Sequence, residues 1–181
     1  MKKRWNVRRL IPLPILLGLI LACGAVFAYM FLRTAAGEAQ FKPAQVSCSA
    51  AETVEGNSKT GITVQNTGNI SAYLRVRLVT YWVNDDGKVA AKSSPTLTVD
   101  YDDDNWIAGS ENTFYYKQAV ASNGAKTLNL LKSPITLTSE DGFKQVVDVF
   151  AEAIQAMPAA AAEDDDSWDV TIVNGEITAA P

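Results

Sequence analysis

Histidine is absent from this chain of 181 residues. That absence removes histidine-ligated zinc sites, Ser-His-Asp triads and Cys-His dyads at one stroke. The H-E-x-x-H helix of metalloproteases goes with them. Cysteine is nearly missing too, with Cys23 and Cys48 alone. Cys23 lies inside an apolar run, so the remainder of the chain holds one thiol and no internal disulfide framework. An exported domain without bridges suits a bacterial surface better than a small, disulfide-stapled secreted protein. With no imidazole to activate it, Cys48 is expected to be a packed or idle thiol. No glycine-rich phosphate loop occurs. Positive charge is scarce beyond residue 33, where ten basic residues face twenty acidic ones, a balance of −10. Nucleic-acid binding needs a basic surface, so this balance argues against it.

The missing basic residues are gathered at the front. Lys2, Lys3, Arg4, Arg8 and Arg9 precede the 23 uncharged residues 10–32, "LIPLPILLGLILACGAVFAYMFL". At about 1.5 Å per residue a helix of that length crosses a bilayer core of about 30 Å. The basic flank keeps the amino end in the cytoplasm. The organisation predicted is a basic tail (1–9), a transmembrane or signal-anchor helix (10–32), a linker (33–58) and one β-sandwich ectodomain (59–178). Two fates stay open. A retained helix makes a single-pass membrane protein with an extracellular carboxy-terminal domain. Cleavage in "RTAAGEA", after Ala36 or Ala39, releases a secreted or cell-surface protein. A third reading takes "ILACG" as a lipoprotein box with Cys23 lipidated, against which stand the nine further uncharged residues that follow it.

Past residue 58 the pattern changes to period 2. "TGITVQN" alternates and ends at the turn "NTGN". Then Ala72, Leu74, Val76, Leu78, Thr80 and Trp82 fall on one face, with Tyr73, Arg75, Arg77, Val79 and Tyr81 on the other. Further short strands are predicted at 89–92, 96–101, 113–118, 127–131, 135–138 and 169–173. Strands at such spacing point to a mainly β, antiparallel sandwich. Residues 143–157 carry two patterns at once. Phe143, Val147, Phe150, Ile154 and Met157 make a helical stripe, whereas Lys144, Val146, Asp148, Phe150, Glu152 and Ile154 make one face of a strand. "AAAAEDDDSW" reads as a short helix.

Four groups of residues invite a chemical reading. In "DYDDDNWIAGSE", Asp100, Asp102, Asp104 and Glu111 have the spacing of an EF-hand calcium loop, with Asn105 at the usual glycine position. No helix pattern flanks it, and the alternative is an acidic loop between edge strands. Calcium is the one cofactor the sequence suggests. Glu163, Asp164, Asp165 and Asp166 read as a solvated acidic face. Tyr73, Tyr81, Trp82, Trp106, Tyr115, Tyr116 and Trp168 read as core and cross-strand pairs, with a sugar-binding platform as the alternative. Arg75 and Arg77 are the only arginines beyond residue 33. Their expected partners are Asp148 and Glu152, alternating on the neighbouring strand, where Arg–carboxylate pairs would set the register; the alternatives are a solvated face and a contact patch for an acidic partner or another subunit.

"FKPAQVSCSAAE", "VQNTGNISAYLRVRLVTYWVNDDGKV", "FYYKQAV" and "FAEAIQAMPAAAAEDDDSWDVTI" occur in that order behind an apolar amino-terminal segment. In this the chain resembles the TasA/camelysin family of exported Gram-positive proteins over roughly residues 10–175. The resemblance implies a jelly-roll-like β-sandwich, processing by a dedicated signal peptidase and a place on the cell surface or in the extracellular matrix. It implies fibre formation of the kind in which some members lend an amino-terminal strand to the next subunit. It also implies that "FKQVVDVFAEAIQA" is a strand. Arg33, set directly after the apolar run, departs from the family's cleavage region and favours retention. The expected function is a non-enzymatic surface or matrix structural protein, held by the membrane through residues 10–32 and self-assembling through sheet edges. The alternatives are a calcium- or carbohydrate-binding surface module and, against the missing histidine, a camelysin-like protease.

Overall fold

The computed structural model of the chain describes residues 43–181 and a few helical positions before them (18, 23–26 and 28–30). The expected membrane helix over 10–32 falls mostly outside the described residues. Among the described residues no helix is long and apolar enough to cross a membrane.

From Cys48 onward the chain is mainly β. The strands are β1 (Cys48–Glu55), β2 (Ser58–Asn66), β3 (Ala72–Val83), β4 (Trp106–Ala108), β5 (Thr113–Tyr116), β6 (Ile135–Thr136), β7 (Ser139–Glu140) and β8 (Phe143–Gln155). One helical turn, α1 (Ala160–Glu163), then leads to β9 (Thr171–Val173) and β10 (Glu176–Ala179). All pairings are antiparallel, in sheets of order β1-β2-β6, β4-β5-β3-β8-β7 and β10-β9. The first two sheets share one core. Ile62 and Val64 of β2 meet Leu74, Val76 and Leu78 of β3, Trp106, Phe114 and Val147, all buried. The even-numbered face of β3 points inward, as its alternation requires.

A second, smaller core lies on the opposite face of the five-stranded sheet. The carboxy-terminal segment folds back there, and Ala162, Trp168, Val170 and Ile177 cover Tyr73 and Tyr115. Its β9–β10 hairpin turns at Asn174 and Gly175, both at positive φ (53° and 82°). That is the geometry of a two-residue Asn-Gly hairpin turn. The last strand expected at 169–173 is β9, and the Asn-Gly turn adds β10 after it.

Residues 143–155 form a strand paired with β3 over twelve consecutive positions, from Ala72↔Gln155 to Val83↔Lys144. The helical stripe is thereby split. Val147 is buried, while Phe150 is 52% and Met157 82% exposed. Long-range pairing outweighs the helix propensity of the Ala and Glu residues. Other expectations shift. The stretch read as linker contains β1, whose polar, alanine-rich and largely exposed residues gave no apolar alternation. Residues 89–92, 96–101 and 127–131 run as irregular chain with single bridges such as Tyr101↔Leu131. Residues 127–131 still follow β2, where the Thr127 and Leu130 amides donate to the Val64 and Ile62 carbonyls.

Candidate functional site

Arg75 and Arg77 stand on the outer face of β3, beside the carboxy-terminal segment. Arg75 is register partner to Glu152 on β8 and to Tyr115 on β5. Its Nε and Nη2 both donate to Glu152 Oε2, at 3.1 and 2.6 Å. Its Nη1 donates to Tyr115 Oη at 3.3 Å and to the Ser167 carbonyl. The guanidinium lies 4.7 Å from the centroid of the Trp168 ring, and that ring meets Tyr115 edge-on at 5.6 Å. Arg75 is only 11% exposed. It is a bracket between the five-stranded sheet and the segment folded over it, and its fork geometry suits that task.

Arg77 behaves differently. Its partner on β8 is Phe150, so the expected ion pair with Asp148 does not form. Asp148 instead accepts from Tyr81 Oη at 2.8 Å, and this bond, ahead of burial and the carboxylate's charge, pushes the Tyr81 hydroxyl pKa up. Arg77 is half-exposed and pairs with Glu111 in the β4–β5 turn. The two arginines floor a cleft of about 390 Å³ rimmed by Glu111, Glu152, Asp166 and Asp169. Four carboxylates around two arginines leave it net negative.

Three of the four calcium-loop candidates, Asp100, Asp102 and Glu111, are engaged in other hydrogen bonds. Asp100 accepts from Ser133 Oγ at 2.6 Å. Asp102 accepts from Asn105 Nδ2 at 2.7 Å and from the Asp104 amide at 3.3 Å. Glu111 is turned to Arg77. Lysines occupy the neighbourhood. Lys132 pairs with Asp103 and holds its carboxyl below the usual range, and Lys117 Nζ donates to the carbonyls of Asp103 and Asp104 at 2.7 and 2.9 Å. Among the described residues no three His, Cys, Asp or Glu side chains come together as metal ligands would. In the second acidic run Asp165 accepts from the Ser167 hydroxyl and amide, which lower its pKa. Glu163 receives the Ile172 amide at 3.0 Å. The aromatic residues Tyr73, Trp82, Trp106, Tyr115 and Trp168 are buried, as core residues are.

Two features escaped the sequence reading. The first is Lys59, 3% exposed and pointing inward from β2. Residues Thr60 and Thr63 pair with Thr53 and Ala51, so Gly61 and Ile62 together oppose Glu52. This bulge, with Gly61 at φ +67°, shifts the alternation by one residue. Lys59, Ile62 and Val64 therefore all face the core. The signal was present as "KTGIT", a glycine inside an alternating run. Lys59 Nζ donates to Glu52 Oε2 at 2.6 Å and to the Val147 carbonyl of β8.

The second feature is the edge of β8. β7 covers only Phe143 and Lys144. The Gln145 amide donates to Thr138, away from β3, and the Ala156 amide donates to Ser71, on the β3 side. The register between them is unbroken. Val147, Val149, Ala151, Ala153 and Gln155 thus direct both backbone groups away from β3, and no strand of the five-stranded sheet receives them. β1 runs beside this edge, but the two strands belong to different sheets. Cys48 sits in the same region, where burial first, and Glu152 second, push its thiol pKa up.

No family model matches this chain, and no curated protein or solved structure matches it.

Proposed function

We propose that residues 44–181 are the non-enzymatic ectodomain of a bacterial cell-surface or extracellular-matrix protein of the TasA/camelysin type. It is a jelly-roll-like sandwich carried to the exterior by residues 10–32, and its copies associate through their sheet edges. The observation that carries this reading is the outer edge of β8, where five residues turn amides and carbonyls away from β3 and no strand pairs with them, the Val147 carbonyl being held by Lys59. Such an edge is a template for pairing with a further strand. Gly, Pro and bulges, which blunt edges elsewhere, are absent from Val146–Gln155. The chain's lack of histidine supports a structural rather than a hydrolytic role.

Proline at Ala151 tests it, because the Ala151 amide points away from β3 and proline there removes no bond of the β3–β8 ladder. The full chain in mild non-ionic detergent should form higher-order species by sedimentation velocity and extended particles by electron microscopy. Ala151→Pro should stay monomeric with its thermal midpoint nearly unchanged. A wild-type chain that remains monomeric at every concentration, or an Ala151→Pro chain that assembles as well as wild type, removes the reading.

A further inference from the structure

The unpaired edge of β8 has a cover. β1 lies along it, but the two strands form no ladder and belong to different sheets. The amides of Asn66 and Thr127 donate to Ala125 and Val64, so Asn66 and Val64 turn their backbone groups away from β1. Their partners Cys48 and Ala50 therefore turn theirs away from β2, toward β8. Two strand edges face one another across a seam, and each belongs to a different sheet.

What bridges the seam is a side chain. Lys59 emerges from the bulged strand β2 and reaches the Val147 carbonyl on the β8 edge, while Glu52 of β1 holds the same ammonium at 2.6 Å. One buried cation thus joins β1, β2 and β8. It can do so only because the Gly61 bulge turns residue 59 inward along with Ile62 and Val64. Without the bulge, alternation would send Lys59 to the surface. Across the seam this charged contact stands in place of a backbone ladder, while β1 stays paired to β2 and Ile62 and Val64 stay in the core.

We propose that Lys59 is a latch that holds β1 against the β8 edge, and that releasing it exposes that edge to a second copy of the chain. The consequence for assembly rests on the edge-association reading above, while the latch rests on geometry alone. Lys59→Met leaves the Val147 carbonyl without its charged donor. Glu52→Ala leaves the buried ammonium without its counter-ion. Either loosens β1 along the β8 edge without touching the β3–β8 ladder or the core residues of β2.

The native thiol of Cys48 reports the opening, since it is packed against the core beside the seam. The experiment uses the full chain in mild detergent, with Cys23→Ser as background. It measures the alkylation rate of Cys48 at fixed pH and rising urea, alongside sedimentation velocity. Both variants should be alkylated faster by about tenfold, the size expected when a buried acceptor loses a charged donor. The acceleration should depend only weakly on urea, as local opening does. Assembled species should increase in step. Unchanged alkylation in both variants, or an acceleration as steep in urea as global unfolding, overturns the latch whatever assembly does. Faster alkylation without added assembly upholds the latch and overturns edge association.

Discussion

Replacing Arg75 separates a bracket from a surface charge. Arg75→Ala removes the pair with Glu152, whose side chain is 48% exposed. That carboxylate regains water, so the pair contributes about 0–1 kcal/mol. The Ser167 carbonyl loses a charged donor, a bond of about 1.5–3 kcal/mol. Stacking on Trp168 adds about 0.5–2 kcal/mol. Such terms are not additive, and a net loss of about 2–4 kcal/mol is expected. For a unit of this size each kcal/mol shifts the thermal midpoint by about 2–4 °C, which places Arg75→Ala about 4–16 °C below wild type. Arg77→Ala is the internal control. Its pair with Glu111 is exposed on both sides, and its loss should move the midpoint by no more than about 3 °C. Differential scanning calorimetry of the full chain in detergent reads both. Tryptophan emission follows the release of Trp168, which should move to the red in Arg75→Ala before the global transition. Arg75→Lys keeps the charge but not the fork and should fall between the two. Equal midpoints for Arg75→Ala and Arg77→Ala would refute the bracket and return both residues to the solvated face.

Two further substitutions probe other parts of the fold. Gly68→Ala places a Cβ 2.4 Å from the Gln45 carbonyl and 3.1 Å from the Ser47 amide. Backbone on both sides cannot yield cheaply, so a loss of about 1–3 kcal/mol is expected in urea unfolding, and an unperturbed midpoint would show that residues 45–47 do not pack on the turn. Asp165 has a folded pKa lowered first by the Ser167 hydroxyl. Its contribution is therefore present above the unfolded carboxylate pKa, about 3.9, and is lost as pH falls through the lower folded value. The midpoint gap between wild type and Asp165→Asn should be constant at neutral pH and close as pH falls below the ordinary carboxylate value and through the lower folded one; a gap that persists in strong acid would assign the effect to something other than the charge.

Much of this molecule follows from short-range rules. Alternation in residues 72–82 sets which face of β3 is buried, because side chains on a strand point to opposite sides whatever the neighbours are. The pairing of Arg75 with Glu152 was legible for the same reason, since both strands alternate and the charges are opposite. The charge division, the missing histidine and the 23-residue uncharged run are read from residue order and composition before any folding. Other features needed the third dimension. Whether residues 143–155 are helix or strand was decided by twelve cross-strand partners on β3, a term that no local window contains. Glu111 became the partner of Arg77 because the turn between β4 and β5, with Glu111 and Asn112 both at positive φ, swings it over the sheet. The acidic loop at 100–111 kept the spacing of a calcium site but not its convergence, because spacing constrains a loop only when the flanking elements bend it around an ion. Lys59 reads as an ordinary surface residue until one glycine bulge reverses the phase of its strand. The latch, the seam and the arginine bracket each join segments far apart in sequence, and only tertiary packing brings such segments together.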